Sequence, residues 1–205
     1  MAVKFIIDSA SDVLPGECKK LDVVHVPLTV RFGDKEFADA VDLSHKKFYK
    51  MLTSGKEEHP TTSQVTPAAW AEAMEEVTKD GDTAVVITLS SKLSGTYQSA
   101  CIAAEDFEGK VFVVDSMTAT IGERLLLEYG ISLAREGLDA ATIAADLLEK
   151  SGGGEAEELR RAAPPMMVTP RDIDHAVRQL GKVAGYAINR ALQDMDISEM
   201  TALLT

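Results

Sequence analysis

Short apolar runs alternate with amphipathic stretches along the first 150 residues of the chain. The runs at 3–7, 84–89 and 111–114 are rich in valine and isoleucine, and each ends in a polar segment. This pattern is typical of buried strands. Apolar residues at helical spacing, as over 67–77, separate or follow these runs. Strands that alternate with helices predict an α/β fold with a mainly parallel sheet flanked by helices.

Turn and capping residues mark further elements. A strand candidate over 23–30 contains Pro27, which predicts an irregular or edge strand because proline cannot donate a ladder hydrogen bond. The Gly-Asp pair in RFGDKEF predicts a small hairpin. Capping hydroxyls predict two helix starts, with Ser44 before a helix over 45–53 and Thr66 before Pro67 at the first helical position.

A run of small residues at 151–154 is the clearest linker in the chain. It predicts an α/β domain over 1–150 and a shortened or rearranged C-terminal region over 151–205. Weak helical patterns predict short helices in the second region, at 155–161, 172–180, 185–192 and 198–204.

Composition and charge exclude several classes of function. A chain of 205 residues that is 45% hydrophobic can bury a core. The net charge of -12 argues against nucleic acid and against anionic membrane surfaces, both of which favour basic proteins. Cys18 and Cys101 have no metal-ligand or CxxC spacing, which favours reduced thiols. With no signal peptide and no apolar run of membrane-spanning length, we expect a cytoplasmic protein without stable membrane insertion.

Polar loops follow the predicted strands at their carboxyl ends, where open parallel sheets bind ligands. They are Asp8-Ser9, the segment 90–95 and the segment 115–118, and TTSQ at 61–64 precedes another helix start. The N–H groups and dipole of a helix start favour an anion, and hydroxyls add donors that can be oriented. We therefore expect the loops to converge on a site for an oxyanion.

The motifs of nucleotide sites are missing from these loops. The sequence contains neither GxxxxGK[ST] nor GxGxxG after the first strand, and Lys92 is the only basic residue in the loops. A singly charged carboxylate suits this inventory better than a polyphosphate. Any one of the hydroxyls could be only a helix cap, but four such loops at one sheet edge favour a binding site.

Five segments, in this order and spacing, resemble the DegV family of bacterial fatty-acid-binding proteins. The resemblance covers roughly residues 3–150. Each segment alone is weak, but the combination is specific. The segments are DSASD, PLTVRFGDKEFADAVDLSHKKFYKML, PTTSQVTP, SSKLSGTYQSA and VFVVDSMTATIGE.

The resemblance implies a non-catalytic carrier that holds a long-chain fatty acid by its carboxylate, through Thr62 and Ser94. It also implies that the acyl chain is buried against a second domain and that a separate ATP-dependent fatty acid kinase converts the carboxylate to an acyl phosphate for phospholipid synthesis. No metal and no cofactor other than the bound fatty acid is expected. Nearby donors are then Ser63, Gly95 and Thr96, with Ser9, Asp115 and Ser116 as a possible second layer.

The C-terminal region departs from the family, whose members are longer and carry a glycine-rich stretch that ends in arginine. Here Gly152-Gly153-Gly154 is followed by Glu155, and the segment 172–185 resembles the family only faintly. We therefore expect closure of the pocket and contact with a kinase to depend on an atypical region.

Three other functions stay open from the sequence. Ser94 could be the nucleophile of a small hydrolase, although KLSGT is not the GxSxG elbow and a histidine would have to lie nearby. Asp8 could serve a phosphotransferase as nucleophile or magnesium ligand, although DSASD lacks the paired DxD arrangement. The third alternative is a structural or interaction module that binds no small molecule.

Overall fold

The structure is a computed structural model that describes residues 2–54 and 58–152. Within these residues the chain forms seven strands and six α-helices. The strands are β1 (Val3–Asp8), β2 (Val23–Val26), β3 (Thr29–Phe32), β4 (Lys35–Ala38), β5 (Thr61–Ser63), β6 (Thr83–Thr88) and β7 (Val111–Asp115). The helices are α1 (Pro15–Leu21), α2 (His45–Thr53), α3 (Pro67–Thr78), α4 (Thr96–Ala104), α5 (Ile121–Arg135) and α6 (Ala140–Ser151).

A four-stranded parallel sheet in the order β2-β1-β6-β7 forms the centre of the fold. Phe5 of β1 pairs with Val23 on one side and with Val85 on the other, and Val85 pairs in turn with Phe112. The central strands are buried on both faces, as continuous apolar runs require. The predicted α/β fold with a mainly parallel sheet is confirmed.

Helices cover both faces of this sheet. Ile6 and Val86 belong to one buried cluster with Trp70 of α3 and Ala100 of α4. Neighbouring residues of a strand point to the opposite face, where α5 approaches β1 so closely that a Cβ at Gly130 would contact the ring of Phe5. The carboxyl ends of the parallel strands are left uncovered by this packing and carry the polar loops.

The predicted strand over 23–30 is two strands in different sheets. β2 ends at Val26, and β3 begins at Thr29 in a three-stranded antiparallel sheet of order β4-β3-β5. The intervening proline has no N–H for a ladder, so the chain leaves the parallel sheet there. The predicted hairpin is confirmed by the β3–β4 pairing, with Gly33 in its turn at a φ of 56°.

The small sheet has a thin core of its own. Val30, Phe32 and Leu43 are buried, and Phe37, Phe48 and Met51 pack against them while half-buried. The predicted helix over 45–53 is confirmed as α2, and Ser44 caps it by accepting the Lys47 N–H at 3.3 Å. Thr66 caps α3 in the same way, accepting the Ala69 N–H at 3.3 Å.

The segment TTSQ differs from its predicted form. The sequence analysis places it among the polar loops, just before a helix start, but Thr61–Ser63 is strand β5, at one edge of the small sheet. Helix α1 was not predicted, although Pro15 at its first position is a usual helix-start signal.

The division at residue 150 remains a prediction, and the helices predicted beyond residue 155 lie outside the described residues. In the part of the chain that the structure describes, none of the helices has the length and apolar content needed to cross a membrane.

Candidate functional site

Three strand-end loops meet at the carboxyl edge of the parallel sheet. The Leu89 N–H donates to Asp8 Oδ2 at 2.8 Å, which joins the loops after β6 and β1. The Ser91 N–H donates to Asp115 Oδ1 at 3.1 Å, which joins the loops after β6 and β7. Backbone groups of Ser90 and Thr118 add a further bond of 2.8 Å between the last two loops. The expected convergence of these loops is confirmed.

The loop after β6 carries Ser94 to the start of α4. Ser90 folds this loop, because its carbonyl accepts the N–H groups of Leu93 at 2.9 Å and Ser94 at 3.2 Å. Gly95 is the N-cap residue of α4 and provides no side-chain cap. The positive end of the α4 dipole and the Ser94 hydroxyl can therefore favour an anion at this helix start.

The bonds of the Ser94 hydroxyl allow it to act as a donor. Ser94 Oγ accepts the Thr96 backbone N–H at 3.3 Å and lies 2.9 Å from Thr96 Oγ1. A serine oxygen has two lone pairs and one proton. When the Thr96 hydroxyl donates to it, both lone pairs are used and the Ser94 proton can be donated to a ligand. Thr96 is fully buried, so its contribution is to orient Ser94.

Thr62 and Ser63 lie on the exposed strand β5. Thr62 pairs with Val30 and Ser63 pairs with Thr29 of β3. Side chains of neighbouring strand residues point to opposite faces of a sheet, so the two hydroxyls do not project toward the same point. Thr62 and Ser63 therefore cannot serve one ligand atom with both side chains.

Gln64 joins β5 to α4, and the sequence interpretation gave it no role. Its Nε2 donates to Ser99 Oγ at 2.8 Å. A Cβ at Gly95 would overlap Gln64 Oε1, so glycine at 95 leaves room for the Gln64 side chain in this position. The two motifs TTSQ and LSGT are thus brought together by side-chain contact. The sequence signal that could have indicated this role was the position of Gln64 directly after Ser63 in TTSQ.

The expected second layer, Ser9, Asp115 and Ser116, uses its side chains to fix the loops and not to face a ligand. Ser9 Oγ accepts the Leu28 N–H at 3.1 Å, which ties the first loop to the segment before β3. Asp115 Oδ1 accepts the N–H groups of Ser91 and Met117 at 3.1 and 3.0 Å. Ser116 Oγ closes a turn onto Thr118, and Ser9, Asp115 and Ser116 are all buried.

Two fully buried carboxyl groups lie beneath this edge. Asp8 Oδ1 accepts the Ala10 N–H at 2.9 Å, in addition to the bond from Leu89. Burial raises the pKa of Asp8 to about 6, although both backbone N–H groups lower it. Burial also raises the pKa of Glu123 well above its usual range, and the neighbouring charge of Asp8 raises it further. The sequence interpretation did not identify Glu123.

The enzymatic alternatives gain no support from these positions. Among the described residues, the Ser94 hydroxyl is partnered by Thr96 and no hydrogen bond joins it to a histidine. Asp8 is fully buried and both of its oxygens accept backbone N–H groups. No group of three or more potential metal ligands occurs among residues 2–54 and 58–152.

Several known proteins are similar to this chain in sequence and in fold. A model described as "Uncharacterised protein, DegV family" matches residues 2–151. A DegV domain-containing protein of Caldanaerobacter subterraneus subsp. tengcongensis is 35% identical over 148 residues, which are 72% of this chain and 52% of that protein.

Two similar solved structures are described by what they bind. A fatty-acid-binding DegV family protein from Thermus thermophilus has a TM-score of 0.66 and 30% identity, covering 78% of this chain and 54% of that one. A stearic-acid-binding protein from Eubacterium ventriosum has a TM-score of 0.63 and 28% identity, covering 72% and 52%. The chain thus spans about half the length of the relatives it matches. The resemblance predicted from the motifs is confirmed: this chain belongs to the DegV family.

Proposed function

We propose that this chain binds a long-chain fatty acid by its carboxylate, with the hydroxyls of Thr62 and Ser94 as the donors. The observation that carries the proposal is the Gln64 contact, which holds the strand of Thr62 against the helix start that follows Ser94. Gly95 provides the close approach, and Thr96 orients Ser94. The Ser63 hydroxyl points to the other face of the strand, so it does not share the ligand atom that Thr62 would bind.

The chemistry of the donors favours a carboxylate over a polyphosphate. Ser94 lies at a helix start, where the positive end of the helix dipole favours an anion. Lys92 is the basic residue of this loop, and it is exposed. Neutral donors of this kind stabilise one negative charge but leave most of the charge of a polyphosphate uncompensated. Ser9, Asp115 and Ser116 support the loops behind the site by the bonds described above.

The acyl chain would supply most of the affinity. Each buried methylene contributes roughly 0.8 kcal/mol before ordering costs. Leu93 and Ile121, which follow β6 and β7, are 68% and 49% exposed at the same edge as Ser94. Exposed apolar side chains beside an anion site suit an amphipathic ligand. Fatty acid binding by the similar Thermus and Eubacterium proteins supports the same class of ligand.

As a carrier, this protein would need no catalytic residue, no metal and no cofactor beyond its ligand. In this proposal it acts in the cytoplasm and presents the bound carboxylate to a separate ATP-dependent fatty acid kinase. The product would be an acyl phosphate, which requires that the carboxylate stay accessible at the sheet edge. The family resemblance is the support for the kinase step.

The test is retention of oleate by the full chain. Delipidated wild type and the double variant Thr62→Ala/Ser94→Ala would be incubated with oleate and measured by native mass spectrometry. We expect one bound oleate in the wild type and a loss of at least about tenfold in affinity in the variant, because each lost bond to a charged group costs about 1.5–3 kcal/mol.

A matched control is Thr83→Ala/Ser132→Ala, which removes the same atoms elsewhere. Thr83 begins β6 at the opposite edge of the sheet, and Ser132 bonds only within α5, to the Tyr129 carbonyl at 2.7 Å. The control should bind oleate like the wild type. Equal binding by the Thr62→Ala/Ser94→Ala variant would refute the site, and an empty wild type would refute the function.

A further inference from the structure

Asp8 and Glu123 bring two carboxyl groups together in the interior. Asp8 ends β1, and Glu123 lies in the first turn of α5. Both side chains are fully buried, and the Thr120 N–H at the start of α5 donates to the Ala10 carbonyl at 2.8 Å, which holds the first turn of α5 against the loop of Asp8. Within the described residues, neither Glu123 oxygen accepts a bond from an N–H or hydroxyl group. Glu123 is therefore a buried carboxyl group without a donor of its own, and Asp8 is the charged group that affects it most.

Two ionised carboxylates are unfavourable here, because both would be acceptors in a medium that stabilises charge poorly. One proton between them turns the repulsion into an O–H···O hydrogen bond, which is short and strong when one partner is charged. The other charged groups that act on the pair, Asp39 near Asp8 and Asp12 near Glu123, are also acidic and favour uptake of a proton.

The division of roles within the pair follows from the bonds of Asp8. Asp8 already accepts the N–H groups of Leu89 and Ala10 at 2.8 and 2.9 Å, which stabilise its charged form. Glu123 has no comparable donors, and burial together with the charge of Asp8 keeps its pKa high. The proton therefore resides on Glu123, which donates to the Asp8 carboxylate.

We propose that Glu123 is a positioning residue of the candidate site: it donates its carboxyl proton to Asp8 and so holds the Asp8 carboxylate where it anchors the loop that carries Ser94. The anchored atom is the Leu89 N–H, at the beginning of that loop. The bond also fixes α5 against β1, and α5 follows the loop of Asp115. The consequence for ligand binding rests on the proposed function, whereas the shared proton and the loop anchor do not.

The first test detects the proton directly. In the full chain labelled with ¹³C, the side-chain carboxyl carbon of Glu123 would be followed by NMR from pH 4.5 to 8, and Glu123→Gln would assign the signal. We expect the chemical shift of a carboxylic acid at pH 7 in the folded protein and that of a carboxylate in the urea-unfolded chain. An ionised Glu123 in the folded protein at pH 7 would overturn the proposal.

The second test measures the anchor, by hydrogen exchange of the Leu89 and Ala10 amides. Glu123→Gln keeps a donor of the same shape, so we expect exchange within about twofold of the wild type, as for a bond that is retained. Glu123→Ala removes the donor, and we expect exchange of the Leu89 amide to rise by about two- to tenfold, the equivalent of one lost hydrogen bond.

The matched control is Leu127→Ala, which lies one turn further along α5 and is equally buried. It creates a cavity without removing a carboxyl group, so a general loss of stability would raise exchange in this variant too. A rise in Leu89 exchange that Glu123→Ala and Leu127→Ala share equally, once corrected for global stability, would overturn the positioning role.

Oleate binding separates this proposal from the proposed function. We expect Glu123→Gln to bind oleate like the wild type and Glu123→Ala to bind it more weakly, by a factor similar to the rise in Leu89 exchange. Weaker binding by Glu123→Gln, with normal exchange, would overturn the positioning role. If the wild type binds no oleate, the proposed function fails, and the NMR and exchange results still decide the role of Glu123.

Discussion

The two sheets of this protein differ in how firmly they are built. The parallel sheet is buried on both faces, and Val85, Val86 and Ile87 of β6 are fully inaccessible to solvent. The antiparallel sheet rests on three buried side chains, and α2, which covers it, has no buried residue. Ser94 follows the first sheet and Thr62 lies on the second, so the two halves of the candidate site have unequal support.

We therefore expect the two halves of the candidate site to differ in mobility. The Ser94 half is anchored by loop-to-loop bonds at the edge of a large core. The Thr62 half can shift with a three-stranded sheet whose core is thin, and local opening is least costly where few apolar contacts are broken. Gln64 couples the two halves through Ser99. We therefore expect ligand entry to involve movement of the antiparallel sheet.

The largest effect should come from a pair of core substitutions that compares the sheets. Ile87→Ala in β6 should lower the free energy of unfolding by about 4 kcal/mol, because it leaves a cavity in a rigid core. Phe48→Ala in α2 should cost about 2 kcal/mol, since its ring is only half-buried. Urea unfolding measures both. Hydrogen exchange should rise mainly in β3 and β5 for Phe48→Ala, and equal, global exchange in both variants would contradict the comparison.

A smaller effect on stability is expected at the contact of Gln64 with α4, which joins the two halves of the candidate site. Gly95→Ala places a Cβ against Gln64 Oε1, so Gln64 must move and its bond to Ser99 is lost. We expect a cost of about 0.5–1.5 kcal/mol, the equivalent of one lost hydrogen bond, because the exposed Gln64 side chain can move aside, and a loss of oleate affinity. Gly16→Ala in α1 is the control, because a Cβ there meets no atom within 4 Å. Unchanged oleate binding by Gly95→Ala would show that the contact does not shape the site.

The smallest effect is the dependence of stability on pH, which arises from the buried carboxyl groups Asp8 and Glu123 beside the parallel sheet. Burial raises the folded-state pKa of Glu123, so the folded chain keeps a proton that the unfolded chain releases above about pH 4.5. The stabilisation is therefore complete at low pH and is lost as the pH rises toward the folded-state pKa of Glu123. Asp8 acts in the same direction between its usual pKa of 3.8 and about 6.

Glu123→Gln isolates the contribution of Glu123. Between pH 5 and 8, we expect the variant to gain stability relative to the wild type as the pH rises, measured by urea unfolding at each pH. The exposed residue Glu72 of α3 provides the control Glu72→Gln, which removes the same charge without changing the interior. Parallel pH profiles for the wild type and Glu123→Gln would contradict a proton held by Glu123.

Local sequence patterns were sufficient to predict most of the strands and helices. Apolar runs predicted the parallel strands, and capping hydroxyls predicted the starts of α2 and α3 at the observed residues. The three-residue strand β5 was missed, because so short a segment has too few positions to show alternation and is held by pairing with β3. Pro27 marked an interruption, but only the pairing shows that the chain changes sheets there.

What the sequence by itself determined is the α/β frame, the family and the segments that carry Thr62 and Ser94, since these follow from local periodicity, capping and motif order. Only the tertiary structure decided that Gln64 reaches Ser99 and that Asp8 and Glu123 are both buried, Asp8 at the end of β1 and Glu123 in the first turn of α5. Both pairs consist of residues that are far apart in the chain, and neither leaves a local pattern. They exist because the sheet order brings the ends of separate strands to one edge, where the packing of the helices determines which polar groups become neighbours.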